Sequence, residues 1–458
     1  MTLIKSISGI RGTIGNEPGN NLTPLDIVKF TAAFASLMKS NQPTKKLKFV
    51  IGRDARISGM MVENLVVSTL SGMGIDVINT GLSTTPTVEM AVINHNADGG
   101  IIITASHNPK QWNALKLLNG KGEFISGTEG EKVLRIAKNE NIIFSEVDDL
   151  GKVEYNSSTI EEHIKQIIDL KLVDKELVKK AGFKVAIDAV NSTGGISIPP
   201  LLKALGIDEI IELYCEPTGE FPHNPEPLPE NLTEICKLVV EEKADIGVVV
   251  DPDVDRLALV MENGELFGEE YTLVAVADYI LQTQKGNTVS NLSSTKALRD
   301  VTEKAGGSYT ASAVGEVNVV DKMKEVKAVI GGEGNGGVIY PELHYGRDSL
   351  VGIALILTYL AKRKIKLSEL RAEYNDYFVS KNKIELNADM DVSAIYSKVQ
   401  KHYQKFPILT IDGVKIDFPD GWVHLRTSNT EPIMRIYAES TSMERAQKYA
   451  DEVMRLIG

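Results

Sequence analysis

The segment at 104–109, TASHNP, holds the first residues whose types and order could do chemistry. It directly follows an apolar, isoleucine-rich run, and loops at strand ends are where open α/β sheets usually bind ligands. Ser106 could carry a phosphoryl group if a base and a cation lie beside it, and His107 and Lys116 are the nearest candidates. The alternative is that the serine and asparagine of this segment cap the next helix.

A second set of polar residues, Asp251, Asp253 and Asp255, follows the apolar run at 246–250. Carboxylates at positions i, i+2 and i+4 of an extended chain point to one side. Three oxygens could therefore bind one hard cation, and Mg²⁺ is the expected ion. Its remaining coordination positions could be filled by water or by a phosphate oxygen on Ser106. A solvated acidic turn is the alternative, although three carboxylates after a buried strand are costly without a partner.

An EF-hand is the rival interpretation of the same segment, because Glu262 stands at the twelfth position counted from Asp251. That loop requires glycine where Arg256 stands, and strand-like sequence flanks the segment on both sides. The EF-hand is therefore rejected.

A glycine-rich segment at 331–337, GGEGNGG, leaves the backbone free to approach a ligand closely. Glu333 and Asn335 supply the acceptors and donors that the hydroxyls of a sugar would need. A glycine-rich turn without function is the alternative.

Hydrogen-bond donors are concentrated near the C-terminus, in the segment 426–432 with the sequence RTSNTEP. Such donors suit a phosphate dianion, which arginine can bind through two parallel hydrogen bonds. The candidate phosphate-binding residues are Arg426, Ser428, Asn429, Thr430 and Arg435. A plain helix cap before Pro432 could use the same residues.

Two arginines near the N-terminus complete the set of charged candidates. Arg11, in the segment GIRGT, could neutralise a transferring phosphoryl group. Arg53 and Asp54 are predicted to form a structural ion pair instead.

The elements that must position these residues are short β-branched runs alternating with amphipathic stretches, which predicts layered α/β domains. Strands are predicted at 48–52, 99–104, 183–188 and 246–250, and helices at 58–74 and 271–284. The last part differs in make-up, with predicted strands at 414–418 and 422–425 before a helix at 442–457, which indicates an α+β unit. The proline-rich span 217–229 is predicted to be an extended loop.

Composition limits the classes of protein to which the chain can belong. Its 458 residues fit about three ordinary domains or four small ones, and its formal net charge of −12 argues against nucleic-acid or anionic-membrane partners. Two cysteines are too few for a disulfide scaffold. The N-terminus lacks a secretory signal and no stretch approaches the ~20 apolar residues of a membrane span, so the predicted location is the cytoplasm.

Taken together and in order, TASHNP, DPDVDR, GEGNGG and RTSNTEP resemble the motifs of the α-D-phosphohexomutase superfamily over essentially the whole chain. The resemblance implies four domains arranged as a heart around one deep cleft, three related α/β domains plus a C-terminal α+β domain. The expected domains are 1–152 with the phosphoserine loop, 153–256 with the metal loop, 257–370 with the sugar-specificity loop and 371–458 with the phosphate-binding loop.

The resemblance also implies roles. Ser106 would be the phosphoserine and would contact the metal, the three aspartates would hold Mg²⁺, and Arg426 to Thr430 would bind the phosphate that is not reacting. Arg11, His107, Lys116 and Arg256 complete the expected catalytic set. This sequence departs from the family pattern at Pro252 and Val254, where glycines are usual, but neither side chain would be a metal ligand.

The implied activity is reversible conversion of a hexose 6-phosphate to the 1-phosphate, through phospho-Ser106 and a 1,6-bisphosphate that also primes the enzyme. Glucosamine phosphate is the favoured substrate, because ISGIRGTIG and 314–316 look most like the glucosamine-specific members. Glucose and mannose phosphates are the alternative. A phosphatase and a non-catalytic sensor are less well matched, because the seven histidines show no dinuclear-metal spacing and a sensor needs no nucleophile. A monomer or homodimer is expected.

Overall fold

A computed structural model describes residues 2–6, 9–139, 142–387, 390–428 and 433–457. The chain divides into two compact units, of which the first comprises residues 1–272 and 335–370 and the second comprises 273–334 and 371–458. The two predicted sugar-binding residues therefore belong to different units, Glu333 to the second and Asn335 to the first. Within the described residues, no helix is long and apolar enough to cross a membrane.

The N-terminal part of the first unit is built on a seven-stranded sheet. Its elements are β1 (Ile4–Ser6), β2 (Gly9–Thr13), α1 (Pro24–Asn41), β3 (Lys48–Arg53), α2 (Gly59–Gly72), β4 (Asp76–Leu82), α3 (Thr85–Asn94), β5 (Gly99–Ile103), β6 (Trp112–Asn119), α4 (Gly127–Asn139) and β7 (Val153–Tyr155). The strand order is β1-β2-β6-β5-β3-β4-β7, with β5 parallel to β3 and antiparallel to β6. The apolar faces of α1, α2 and α4 supply much of the core on this sheet.

The next part of the first unit has a four-stranded sheet in the order β11-β10-β8-β9. Its elements are α5 (Thr159–Ile168), α6 (Lys175–Ala181), β8 (Lys184–Asp188), α7 (Gly194–Ala204), β9 (Glu209–Leu213), α8 (Thr233–Glu241), β10 (Ile246–Val250) and β11 (Leu257–Met261). Because β10 is buried along its whole length and antiparallel to β11, the connection between them starts in the core. The predicted loop at 217–229 is confirmed, since no helix or strand occurs before a single 3₁₀ turn at Pro229–Asn231.

The third stretch of chain contributes to both units. Its elements are α9 (Glu269–Thr283), β12 (Asn287–Asn291), α10 (Ala297–Lys304), β13 (Tyr309–Ser312), α11 (Glu316–Val326), β14 (Ala328–Glu333), β15 (Gly337–Ile339), α12 (Ser349–Arg363) and α13 (Leu367–Arg371). In the second unit, β12 lies between β13 and β14 and is parallel to both. In the first unit, α12 is buried from Ser349 to Ala361, which accounts for its almost wholly apolar sequence.

The C-terminal part of the second unit is an antiparallel sheet with two helices, the α+β arrangement predicted from the sequence. Its elements are β16 (Phe378–Glu385), α14 (Val392–His402), β17 (Ile408–Leu409), β18 (Val414–Phe418), β19 (Gly421–Thr427), β20 (Ile433–Ser440) and α15 (Met443–Ile457). The order is β16-β20-β19-β18-β17, and apolar residues of α14 and α15 share one core with the sheet.

A buried polar cluster in the first unit joins α3, α5 and the segment before α12. His163 Nε2 lies 3.0 Å from Asp348 Oδ2, and its Nδ1 lies 3.0 Å from the hydroxyl of Thr87. His344 lies between two carboxylates, with Nε2 3.4 Å from Asp348 Oδ2 and Nδ1 3.4 Å from Glu89 Oε2. Side-chain atoms of His163, His344 and Asp348 could also hold a metal ion, but both ring nitrogens of His163 already have polar partners.

The position of His344 between two carboxylates predicts a pH-dependent contribution to stability. Burial alone would lower the pKa of His344, but its contacts with Asp348 and Glu89 outweigh burial and raise the pKa from 6.5 to about 10. Protonated His344 therefore stabilises the folded state fully below pH 6.5, and the contribution declines above that pH and is lost as pH rises through about 10.

We expect the melting temperature of His344→Gln to fall furthest below wild type at pH 6 and the gap to narrow steadily towards pH 10. Thermal unfolding, followed by circular dichroism at a series of pH values from 6 to about 10, measures this difference in melting temperature. The exposed His402 gives a matched control, because His402→Gln should show no such trend. A gap that stays constant with pH would show that His344 is not charged in the folded state.

Candidate active site

The loop between β5 and β6 places Ser106 in a buried position with a left-handed backbone, at φ 48°. This conformation is uncommon for residues other than glycine and needs support from neighbouring groups. The support includes a hydrogen bond from Ser106 N to Thr104 Oγ1 at 2.9 Å, and Thr104 in turn donates to Asp54 Oδ2 at 2.6 Å. The serine is therefore a fixed residue of a strained loop, and the helix-cap alternative does not describe it.

Arg56, which was not predicted from the sequence, holds the same loop through hydrogen bonds to its backbone. Its guanidinium donates to the backbone oxygens of Ser106, of Asn108 at 2.7 Å and of Pro109 at 2.8 Å. Asp54 holds the other edge of the guanidinium at 3.0 Å, and both side chains are fully buried. A fully buried arginine bound to backbone carbonyls is unusual and fixes the shape of the loop.

The predicted ion pair of Arg53 with Asp54 is wrong. Arg53 forms its ion pair with Glu63, and Asp54 pairs with Arg56. The reason is that Arg53 ends β3, where adjacent side chains point to opposite faces of the sheet. The only signal in the sequence was the spacing of Asp54 and Arg56, two residues apart.

The connection from β10 to β11 brings the three aspartates together, but by a turn and not by strand alternation as predicted. Val254 has φ 64°, and its N–H donates to the carbonyl oxygen of Asp251 at 3.1 Å. Oxygens of Asp251, Asp253 and Asp255 lie within 4.8 Å of one another and could hold a metal ion. The buried Val254 therefore occupies a backbone conformation that glycine adopts more easily, at a cost on the order of 1–3 kcal/mol.

The hydrogen bonds of the aspartates leave particular oxygens for a cation. Asp251 Oδ2 accepts a 2.6 Å hydrogen bond from Ser106 Oγ. Lys116 Nζ lies 2.7 Å from Asp253 Oδ2 and 3.3 Å from Asp255 Oδ2. Among the described residues, Asp253 Oδ1 and Asp255 Oδ1 are buried without a hydrogen-bond partner. These two unpaired carboxylate oxygens, together with the carboxylate of Asp251 that contacts the serine, form a hard donor set, which fits Mg²⁺.

Further groups, also absent from the sequence analysis, hold the same aspartates. Thr85, the first residue of α3, donates its hydroxyl to Asp253 Oδ2, and its N–H donates to the backbone oxygen of Asp253 at 2.9 Å. Arg347 Nη2 donates to Asp255 Oδ2 at 2.7 Å. Neither residue belongs to a recognised segment, because both reach the metal loop from distant parts of the chain.

The pKa values of Asp251, Asp253 and Lys116 in this cluster are shifted in different directions. Burial raises the pKa of Asp251 well above its usual range, and the neighbouring Asp253 and Asp255 add to the rise. Burial also acts to raise the pKa of Asp253, but Lys116 outweighs it and the pKa is lowered. For Lys116 itself burial alone would lower the pKa, and the two aspartates raise it above the ordinary value. Lys116 is thus a permanent cation of this site.

His107 is the candidate base nearest to the serine, with Nδ1 3.4 Å from Ser106 Oγ. Burial lowers the pKa of His107 well below 6.5, and the positive charges of Arg256 and Arg11 lower it further. The imidazole is therefore neutral near pH 7 and can accept a proton. Glu226, missed because it lies in the proline-rich loop, is 3.9 Å from His107 Nε2 and 3.3 Å from Arg256 Nη1.

Arg11, one of the predicted catalytic residues, contacts the serine loop. Its Nη1 donates to Asn108 Oδ1 at 2.7 Å. Burial lowers the pKa of Arg11, and Asp253 opposes that effect, but guanidinium remains charged in proteins. A cation oriented by the residue two positions after Ser106 suits a phosphoryl group on that serine.

In the second unit, Glu333 is the last residue of β14, and its carboxylate accepts hydrogen bonds from residues of the same unit. Its Oε1 accepts hydrogen bonds from Asn291 Nδ2 at 2.9 Å and from Gly315 N at 3.2 Å. Asn335, in the first unit, uses its side-chain oxygen to accept from Gly337 N at 3.3 Å. Gly315 belongs to the segment 314–316 that suggested glucosamine specificity, so that segment and Glu333 are in direct contact.

The candidate phosphate-binding residues at the end of the chain are partly described. Arg426 on β19 stands directly opposite Arg435 on β20, and its Nε lies 3.0 Å from Asp412 Oδ2. Like charges directly opposite each other destabilise an antiparallel pair, and an anion would relieve that cost. Ser428 donates its N–H to the backbone oxygen of Ile433 at 2.9 Å. Asn429 and Thr430 lie outside the described residues.

Comparison with protein families gives four consecutive matches. Residues 3–142, 161–264 and 268–377 match alpha/beta/alpha domains I, II and III of phosphoglucomutase/phosphomannomutase, and residues 385–456 match its C-terminal domain. The predicted fold class, with α/β domains followed by a C-terminal α+β domain, is confirmed.

Individual proteins similar to this chain carry two kinds of name. This chain is 37% identical over 458 residues to a phosphoglucomutase/phosphomannomutase of Thermococcus kodakarensis, and the alignment covers 98% of this chain and 97% of that protein. It is 30% identical over 455 residues to a probable phosphoglucosamine mutase of Methanopyrus kandleri, with 98% and 96% covered. A solved structure from Burkholderia thailandensis, of a phosphoglucomutase/phosphomannomutase family protein, has a TM-score of 0.85 and 26% identity, covering 100% of this chain and 97% of that one.

Proposed function

This chain belongs to the phosphoglucomutase/phosphomannomutase family of phosphohexomutases, and we propose that it interconverts a hexose 6-phosphate and the 1-phosphate through phospho-Ser106 and a hexose 1,6-bisphosphate. The enzyme class is that of an intramolecular phosphotransferase, an isomerase. One observation carries the proposal: Ser106 Oγ lies 2.6 Å from Asp251 Oδ2, within a cluster of three buried aspartates. A nucleophile and a cation-binding group in contact are what phosphoryl storage on serine requires.

In the forward reaction the free C1 hydroxyl of the sugar attacks the phosphorus of phospho-Ser106. The bond from phosphorus to Ser106 Oγ breaks, the serine oxygen takes a proton and the hydroxyl loses one. His107 suits the role of base by its position, with Nδ1 3.4 Å from Ser106 Oγ, and its lowered pKa leaves the ring unprotonated but less basic than an ordinary histidine. Lys116 was an equal candidate from the sequence, but its raised pKa favours a fixed cation that orients Asp253 and Asp255.

The bisphosphate formed in this way turns over and returns its 6-phosphoryl group to Ser106, so no phosphate is gained or lost. Arg11 and Arg256 supply fixed positive charge near the transferring group. The three aspartates and Ser106 Oγ would hold Mg²⁺, which supplies Lewis-acid stabilisation of phosphoryl oxygens when bound.

The remaining candidate residues, near the C-terminus and in the glycine-rich segment, are assigned to binding. Arg426 and Arg435, opposite each other on β19 and β20, would bind the phosphate that is not being transferred. Ser428, Asn429 and Thr430 would add donors to that phosphate. Glu333 and Asn335 would contact sugar hydroxyls. The ligands that the proposal requires are then Mg²⁺, a phosphosugar and a priming bisphosphate. The four domain boundaries, the cytoplasmic location and the monomeric or dimeric state stay predictions.

Glucosamine phosphate is the proposed substrate, because the segment 314–316 contacts Glu333, whose carboxylate suits the protonated amine of that sugar. Glucose and mannose phosphates are the second candidates, favoured by the name of the 37% identical relative. The test is a coupled mutase assay with glucosamine, glucose, mannose and N-acetylglucosamine 6-phosphates, each primed with the matching bisphosphate.

We expect kcat/KM for glucosamine 6-phosphate to exceed the others by about tenfold or more, in line with one extra charged contact. Higher values for glucose and mannose would establish the second candidates. Release of inorganic phosphate without isomerisation would identify a phosphatase and overturn the proposal.

A further inference from the structure

The segment 347–349, just before and at the start of α12, contacts the metal loop at two points. Arg347 Nη2 donates to Asp255 Oδ2 at 2.7 Å, and Ser349 N donates to the backbone oxygen of Val254 at 3.2 Å. The second contact meets the residue whose backbone is strained, at φ 64°. The metal loop is therefore held from outside at its strained residue and at one of its aspartates.

The segment can act as a support because it is itself fixed. Asp348 caps α12, accepting from Leu350 N at 2.8 Å and Val351 N at 3.3 Å. Its own N–H donates to the backbone oxygen of Val338 at 2.8 Å. The other carboxylate oxygen of Asp348 meets His163, as described above. A residue anchored between the cap of a buried helix and a buried histidine has little freedom to move.

Space for Arg347 is provided by Gly337, in the segment first interpreted as a sugar-binding loop. A Cβ at Gly337 would lie 2.3 Å from Arg347 Cδ, closer than any real contact. At least this glycine of the GGEGNGG segment is thus explained by room for the arginine stem and not by approach of a ligand.

Arg347 determines which oxygen of Asp255 is available. Asp255 Oδ2 is occupied by Arg347 at 2.7 Å and by Lys116 at 3.3 Å, whereas Oδ1 is buried without a partner among the described residues. We propose that Arg347 is a positioning residue, which fixes Asp255 so that Oδ1 faces the cation and thereby favours Mg²⁺ over larger divalent cations. The inference rests on the proposed role of the three aspartates as metal ligands.

Positioning and simple charge predict opposite changes when Arg347 is lost. Removing a cation from beside the site would by itself strengthen the binding of every divalent cation. Loss of orientation would instead weaken Mg²⁺, which demands near-ideal octahedral geometry, more than Ca²⁺, which tolerates flexible geometry. The ratio of the two affinities therefore separates the two roles, and activity is not needed to read it.

The experiment measures displacement of Mn²⁺ by Mg²⁺ and by Ca²⁺, using the electron paramagnetic resonance signal of free Mn²⁺ and the full-length, dephosphorylated protein. For Arg347→Met we expect the apparent Kd for Mg²⁺ to rise about tenfold, as for other residues that orient metal ligands, with a clearly smaller rise for Ca²⁺. Arg347→Lys keeps the charge but not the planar fork, so its Mg²⁺ affinity should fall between those of wild type and Arg347→Met.

Arg53→Met is the matched control, because it removes a partly buried ion pair with Glu63 and should leave the ratio of the two affinities unchanged. Thermal unfolding checks that each variant is folded. If Arg347→Met does not fold, the Mg²⁺ and Ca²⁺ affinities of Arg347→Lys test the positioning role instead. Unchanged affinities, or equal changes for both cations, in a folded variant would overturn the positioning role. Absence of divalent-cation binding by wild type would instead contradict the proposed metal site itself.

Discussion

Replacing Ser106 with alanine is expected to abolish mutase turnover, with a loss of at least about a thousandfold, on the scale known for removal of a nucleophile. No other hydroxyl of the described residues hydrogen-bonds to Asp251 as Ser106 Oγ does, at 2.6 Å. Without that oxygen there is no place to store the phosphoryl group between the two transfers. The bisphosphate could not be formed from the monophosphate.

The same variant should fold normally, because the loop is held through its backbone. Ser106 N bonds to Thr104 at 2.9 Å and Ser106 O to Arg56, and alanine keeps both contacts. Intact-mass analysis should show one phosphate on wild type incubated with bisphosphate and none on Ser106→Ala. Ser36→Ala is the matched control and should keep the phosphate, because the Ser36 hydroxyl donates within α1 to the Ala32 carbonyl oxygen. Turnover of Ser106→Ala within tenfold of wild type would refute the assignment.

Asp253→Asn is expected to produce the second largest effect, a loss of Mg²⁺ affinity of about 100-fold and a corresponding loss of turnover. Asp253 Oδ2 is bound by Lys116 at 2.7 Å and by Thr85, so Oδ1 is the oxygen left for a cation. The amide of asparagine has one oxygen, so it cannot present an oxygen both to the cation and to Lys116. With its oxygen towards the cation, its NH₂ group faces the Lys116 ammonium; turned round, it presents NH₂ to the cation.

Mn²⁺ displacement by Mg²⁺ and the Mg²⁺ dependence of the mutase rate measure the two parts of this prediction. Asp208→Asn, a change of the same kind at an exposed position, should alter neither. Wild-type Mg²⁺ affinity in Asp253→Asn would show that the aspartates do not bind the metal. A reduced rate at unchanged Mg²⁺ affinity would point to the Lys116 contact as the important one.

The sequence by itself determined the fold class and the segments that carry chemistry. Runs such as 48–52, 246–250 and 414–418 gave strands at those positions, because short β-branched runs report local backbone preference and burial. Ser106 and the three aspartates were predicted as site residues for a similar reason, since each motif is contiguous and follows a strand. The four family matches agree with the order of the motifs along the chain.

Only the tertiary structure decided which other residues support these motifs. Arg56 reaches Ser106 across 50 residues of sequence, and Arg347 reaches Asp255 across 92. Neither belongs to a pattern, because hydrogen bonds between distant segments leave no periodicity or spacing in the chain. The turn at Val254 was also hidden, since its left-handed backbone is imposed by tertiary contacts against the preference of a β-branched residue.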